Sequence, residues 1–171
     1  AVTPDRSSGD GFSVFPVAPP KMEIPDGYVD ALSEIKNRIQ QMRLKTALAA
    51  NSAMILLYWD IGRLILERQE KEGWGTKVID RLSTDLRDAY PEMSGLSSRN
   101  LKYIRAFAAA WPEPEIVQEA LAQITWYHNL ALLDKLDDST VRLWYARQTV
   151  KHGWSRNILA LQIENRLHER Q

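Results

Sequence analysis

The sequence contains no cysteine, which excludes disulfide staples, thiolate metal sites and a cysteine nucleophile, and fits a reducing compartment. It also lacks any apolar run approaching the roughly 18 residues that a membrane span needs, and no basic flank leads into an apolar core at its start. A cytoplasmic protein with no membrane partner is the expectation. Net charge is absent too, 22 basic side chains against 22 acidic, so the chain as a whole carries no electrostatic footprint of a nucleic-acid binder. Glycine and proline number eight each, and five prolines (Pro4, Pro16, Pro19, Pro20 and Pro25) fall at the start. No stretch alternates polar and apolar residues at period two, so no substantial sheet is expected. What remains is 171 residues, 44% of them hydrophobic, enough for one domain to bury a core without covalent help.

Signatures of catalysis are missing as well. Pro25-Asp26 followed by Glu34-Ile35-Lys36 imitates the carboxylate and lysine pattern of metal-dependent nucleases, but Glu34 and Lys36 fall inside a helical seam with no strand to hold metal ligands. His128, His152 and His168 are scattered without ligand spacing and are expected to be structural. No phosphate loop, dinucleotide fingerprint or nucleophile elbow occurs. The chain is therefore expected to be non-catalytic, with no metal and no cofactor. The six tryptophans, mostly at core-facing positions or just after a glycine, are expected to be packing anchors rather than a ligand cage.

Residues 1–27 combine those five prolines with Gly9, Gly11, Ser7 and Ser8, a composition that reads as a flexible tail. From Tyr28 the pattern turns helical. Tyr28, Leu32, Ile35, Ile39 and Met42 recur at spacings of four and three, the seam of a helix packed along another helix. Met54, Tyr58, Ile61 and Ile65 continue at helical period. Neither Gly nor Pro interrupts Leu32 to Ile61, so 28–72 is one long helix or a helical hairpin. At roughly 60 Å it must bend near Ala47 to Asn51 or dimerise. Gly73-Trp74-Gly75 ends it. A helix follows over 76–90 with Val78, Ile79, Leu82 and Leu86 inward, stopped by Pro91. Ser97 caps another over 98–111. Further helices are expected over 113–123, over 126–136 with Thr125 as cap and Trp126, Leu130, Leu133 and Leu136 inward, and from Ser139 to His152 with Val141, Trp144, Tyr145 and Val150 inward. A last one, capped by Ser155, covers 156–168. The domain thus divides into 28–72, 74–111 and 113–171, and the fold class is all-α.

One unit occurs twice: Gly95-Leu96-Ser97-Ser98-Arg99-Asn100-Leu101 returns as Gly153-Trp154-Ser155-Arg156-Asn157-Ile158-Leu159. Each copy follows a helix and opens one, as in a helix-turn-helix, where glycine permits the turn, the next apolar residue plugs the core and serine caps the groove-facing helix. Charge gathers on the same two regions, with net +2 over 73–111 and +4 over 139–171 against −5 over 112–138. On the first helix, Leu101, Ile104, Phe107, Ala108 and Trp111 share one arc, while Ser98, Arg99, Lys102, Arg105, Ala106 and Ala109 share the opposite one. Cations among small residues suit close approach to a phosphate backbone, with Arg99 or Lys102 able to reach guanine edges. The second copy is less regular. Leu159, Ile163 and Leu167 define its core side, with Ile158 and Leu161 partly outside, and its charge comes from Arg142, Arg147 and Lys151 on the preceding helix together with Arg156. A second DNA contact and a protein interface fit it equally.

Leu56-Leu57-Tyr58-Trp59-Asp60-Ile61-Gly62, Gly73-Trp74-Gly75, Val78-Ile79-Asp80-Arg81-Leu82-Ser83, Asp85-Leu86, Ser98-Arg99-Asn100-Leu101, Trp144-Tyr145 and Gly153-Trp154-Ser155-Arg156 follow one another in an order that resembles the N-terminal domain of the YhcG family of bacterial PD-(D/E)XK nucleases, over residues 28–171. The resemblance implies an α-helical, helix-turn-helix-like, DNA-binding domain preceding a nuclease domain whose catalytic residues are absent from this chain. Residues 126–159 are more weakly similar to the helical DNA-binding part of ParB-like proteins. The expectation is a targeting domain that contacts duplex DNA through Ser98, Arg99, Lys102, Arg105, Arg142, Arg147, Lys151 and Arg156. Its partners would be DNA, a second copy through 28–72 and a C-terminal nuclease domain. The alternative is a dimerisation or partner-docking module of the same nuclease.

Overall fold

The computed structural model describes residues 23–171, and the tail expected over 1–27 lies, up to residue 22, outside the described residues. Seven α-helices follow in order, with no strand among the described residues: α1 (Tyr28–Glu72), α2 (Thr76–Ala89), α3 (Ser98–Ala110), α4 (Pro114–Glu119), α5 (Trp126–Lys135), α6 (Ser139–His152) and α7 (Arg156–Glu164). Short 3-10 turns cover Leu121–Gln123 and Leu167–Glu169. The all-α class, with a long first helix, is as the periodicity implied. The chain divides into two units, one ending at Ile39 and the other running from Gln40 to Gln171.

α1 is continuous through Ala47–Asn51, where a break was one of two expectations. Nothing in the stretch breaks a helix, and Glu34–Arg38, Glu67–Lys71 and Arg68–Glu72 pair one turn apart along it, a spacing that supports a helix weakly at an exposed surface. In the first unit Tyr28, Leu32, Ile35 and Ile39 are exposed. In the second, Met42, Leu44 and Leu48 are exposed, and burial begins at Ile55 and continues through Tyr58, Gly62 and Ile65. Met54 and Ile61, expected on the buried face, sit half-buried at its flanks.

The core of the second unit is assembled on α3, whose Leu101, Ile104, Phe107, Ala108 and Trp111 are all buried, as the arc predicted. Gly62 is what lets α1 approach. A Cβ there would lie 2.6 Å from the Ala108 side chain and closer still to the Ile104 carbonyl oxygen, so only glycine allows the two backbones this near. Trp59 donates its indole N–H to the Trp111 carbonyl at 2.6 Å, and Asn51 donates to the Ile124 carbonyl at 2.8 Å. Trp126 meets Tyr58 and Phe107 edge-on, with ring centroids 4.9 and 5.3 Å away, a geometry that favours aromatic pairs beyond their buried area. No tryptophan is fully exposed, in line with packing anchors.

Several expected details differ. On α2 the deepest residues are Ile79 and Ser83, while Val78 is exposed; the Ser83 hydroxyl is buried because it donates to the Leu96 carbonyl at 2.7 Å. On α5 the buried set includes His128 and Asn129, and on α6 Val150 faces out while Ala146 and Thr149 face in. A hydroxyl or amide that finds a backbone partner can be buried, although the Asn129 side-chain oxygen has none among the described residues, and apolarity alone does not foresee that. The helix expected over 113–123 splits into α4 and a 3-10 turn. α7 stops at Glu164, short of the expected 168, because Arg166 adopts a left-handed backbone, φ 52°.

Candidate functional site

The two copies of the repeated unit are built by the same local chemistry. Gly95 takes φ 89° and Gly153 φ 63°, values that side chains other than glycine rarely tolerate. Ser97 accepts from the Asn100 amide at 3.1 Å and Ser155 from the Ile158 amide at 3.2 Å, so each serine caps its helix. Leu96 is buried and Trp154 half-buried, the two plugs. The turns themselves are unequal. Only Gly153, Trp154 and Ser155 separate α6 from α7, whereas Tyr90 to Ser97 separate α2 from α3. The second copy has the three- to four-residue connection of a helix-turn-helix and the first does not.

Sequence spacing did not reveal that the two copies share one groove. Ser97, Arg99, Asn100 and Tyr103 from α3 and its cap line it on one side, Arg156 at the start of α7 lines another, and Tyr127, Leu130 and Asp134 of α5 lie between. Its volume is about 320 Å³. Hydrogen bonds fix the frame: Asn100 donates to the Gly95 carbonyl at 2.6 Å and accepts from the Trp126 indole at 2.8 Å, tying α3 to α5. The Tyr103 hydroxyl donates to the Asp134 carboxylate at 3.1 Å, and the Arg99 guanidinium sits 5.9 Å over the Tyr103 ring, within cation-π range. Tyr127 is 70% exposed.

His128 secures the α6–α7 turn against α5. One ring nitrogen contacts the Trp154 carbonyl at 2.7 Å; the other contacts the Thr125 amide at 3.1 Å and the Thr125 hydroxyl at 2.7 Å. A neutral ring protonated at Nε2 satisfies all three, donating to the carbonyl and accepting at Nδ1. Burial lowers the His128 pKa below the ordinary histidine value and outweighs the Trp154 carbonyl, which pulls the other way. The structural role expected of this histidine is the geometry observed. His168 contacts the Tyr145 hydroxyl at 2.8 Å and His152 the Gln148 side chain at 3.0 Å.

The residues singled out from the sequence are dispersed. Arg99 and Arg156 line the groove, and Ser98, half-buried, adjoins it in sequence. Lys102 and Arg105 are half-buried further round α3; at about 100° per residue Arg105 stands roughly 120° from Arg99. Arg142 donates to the Leu132 carbonyl at 3.2 Å, the Leu133 carbonyl at 3.3 Å and the Leu136 carbonyl, and so closes the C-terminal end of α5, whose last carbonyls have no helical partner. Arg147 pairs with Glu119 at 3.2 Å. Lys151 is exposed at the end of α6. Among the described residues Arg99, Lys102, Arg105, Lys151 and Arg156 make no ion pair, but neither do Arg43, Lys45 and Lys77. Convergence on the groove, rather than lack of a partner, distinguishes Arg99 and Arg156. Tyr103 on α3 falls just past the repeated unit, and Tyr127 and Asp134 on α5 lie outside both copies, so the repeat pointed to none of them.

Among the described residues no three His, Cys, Asp or Glu side chains gather as metal ligands, and no helix is long and apolar enough to cross a membrane. Glu34 and Lys36 of the carboxylate-lysine pattern lie in α1, as the helical seam implied, and Glu34 pairs with Arg38 at 2.9 Å on its exposed surface.

The chain is 27% identical to the Escherichia coli (strain K12) protein named "Putative nuclease YhcG", over 84% of this chain and 46% of that protein. It therefore spans about half the length of the curated relative it matches. No solved structure matches it. The family described as DUF1016 N-terminal domain matches residues 34–170, nearly the whole of the helical region, and the chain belongs to that family.

Proposed function

We propose that this chain is the non-catalytic, DNA-targeting part of a nuclease, with Arg99, Lys102 and Arg105 of α3 meeting the duplex and Lys151 and Arg156 extending the contact. The observation that carries the reading is the meeting of two serine-capped, arginine-bearing helix starts at one groove. Family membership and the relative's name support it, since a domain that precedes nuclease chemistry has a nucleic acid as its natural partner. Arg142 is left out of the contact because its donors are spent on α5. The three-residue α6–α7 turn gives the second copy the proportions of a helix-turn-helix.

Binding measured by fluorescence anisotropy should weaken steeply with salt. If all five cations reach phosphates, the slope of log K against log salt would approach about −4.5, at roughly −0.9 per phosphate neutralised. Replacing Arg99, Lys102 and Arg105 by alanine together, with helical circular dichroism retained, should abolish binding. Undiminished affinity in that variant would refute the role of α3.

A second reading rests on α1. Tyr28, Leu32, Ile35, Ile39 and Met42 are exposed at spacings of four, three, four and three, the repeat of a two-helix seam, and a second copy of the chain would cover them. Light scattering over a range of concentrations should then show a dimer, and Ile35→Glu with Ile39→Glu should return it to monomer. A monomer at every concentration would remove this reading.

A further inference from the structure

Contact with duplex phosphates accounts for Arg99 and Arg156 but leaves the rest of the groove unexplained. A carboxylate, Asp134, lines the same groove as the two arginines, and its charge opposes a run of phosphates. An aromatic ring, Tyr127, stands 70% exposed at the groove wall and makes no hydrogen bond among the described residues. A flat ring exposed on a groove wall leaves its face open to stacking. At about 320 Å³ the groove falls at the small end of ligand cavities, roughly 300–1,000 Å³, room for one nucleotide and not for a duplex.

A single set of ligand groups matches all four features. Two arginines suit a phosphate, whose oxygens accept from guanidinium forks. A flat exposed ring suits a base released from its stack, because every base has a face to lay on an aromatic side chain. A carboxylate that already accepts from Tyr103 at 3.1 Å retains capacity to accept from a base N–H, which is the edge an unpaired base exposes. The backbone frame is tied together: Asn100 and His128 hold the start of α3 and the α6–α7 turn to α5, so the backbone positions that carry the four groups are set.

We propose that the groove receives one unpaired nucleotide of the bound DNA, with its phosphate between Arg99 and Arg156, its base stacked on Tyr127 and a base N–H donated to Asp134. This rests on the DNA-binding reading above and narrows it to DNA that carries a single-stranded end or an extruded base. The full chain is titrated with a blunt duplex and with the same duplex bearing a short single-stranded tail. Anisotropy reads affinity, and 2-aminopurine in the tail reports stacking through its emission.

The wild-type chain should bind the tailed duplex about tenfold more tightly, within the range that one base stacked on an aromatic side chain contributes, and should quench the 2-aminopurine. Tyr127→Ala should bring the tailed-to-blunt affinity ratio near one and abolish the quench. Tyr127→Phe, which keeps the ring, should preserve both. A wild-type chain that binds both duplexes equally, or a preference that survives Tyr127→Ala, overturns the groove assignment while leaving duplex binding intact. Binding to neither DNA overturns both readings at once.

Discussion

Gly62→Ala tests whether the crossing of α1 over α3 is set by a single missing side chain. Two effects oppose one another. In a helix interior alanine is favoured over glycine by about 1 kcal/mol, so an unobstructed site would gain stability. Here the new Cβ would stand 2.6 Å from Ala108 Cβ, where carbon atoms rest at about 3.5–4.0 Å, and nearer still to the Ile104 carbonyl oxygen, which is backbone and cannot rotate away. The helices must part by roughly 1 Å. Overpacking of this kind costs about 1–3 kcal/mol. Separation also stretches the neighbouring Trp59 to Trp111 hydrogen bond, now 2.6 Å, worth about 1 kcal/mol. The steric side wins, for a net loss of about 2 kcal/mol, or roughly 4–8 °C in Tm for a domain of this size. Thermal unfolding by circular dichroism checks it. Ala53→Gly on the exposed side of the same helix isolates the propensity effect, and Ala108→Gly added to Gly62→Ala should recover part of the loss by removing one of the two obstacles. A Gly62→Ala chain as stable as wild type, or more so, would refute the argument.

Other consequences are equally concrete. His128 has a lowered pKa in the folded chain, so the unfolded chain binds its proton first as pH falls. Its contribution to stability is full above the unfolded value near 6.5 and is lost progressively below it, with a slope of at most about 1.4 kcal/mol per pH unit; urea midpoints between pH 7.5 and 5 should fall more steeply for wild type than for His128→Asn, and equal slopes would refute this. Arg142→Ala should lower stability by about 1–3 kcal/mol because three carbonyls at and just past the end of α5 lose their donor, as read by chemical denaturation; an unchanged midpoint with weakened DNA binding would place this guanidinium on the DNA instead. Asn100→Ala strands the buried-facing Trp126 indole N–H and frees the Gly95 turn, again about 1–3 kcal/mol, visible as a Tm drop and a change in tryptophan emission; neither change would mean the α3–α5 tie is dispensable.

The sequence made the helices legible because each boundary carried its own chemistry. Ser97, Thr125, Asp138 and Ser155 all accept amide hydrogens at helix starts, and glycine closes α6 in a left-handed turn. Boundaries set by tertiary contacts were not legible. α7 shows nothing in its own residues that ends it at Glu164, and Ser83 and Asn129 are buried only because carbonyls thirteen and eight residues away receive their donors. Arg142 misleads in the same way: its spacing places it with Arg147 and Lys151 on a basic helix, while its reach back to α5 spends its charge inside the domain.

The groove carries that lesson furthest. The repeat announced two arginines, at 99 and 156, but two copies that start 58 positions apart say nothing of whether they diverge or meet. The meeting is set by α5, the element with no counterpart in the repeat. Trp126 reaches Asn100 of the first copy and His128 reaches Trp154 of the second, and these two side chains, two positions apart, face different neighbours because a helix turns about 200° over that interval. Tyr127, between them, is left exposed on the groove that Arg99 and Arg156 also line. A helix start that would otherwise present one cation to solvent thus shares a groove with a second cation and an exposed ring, and under the groove assignment proposed above any selectivity for DNA form would depend on α5 rather than on either repeat.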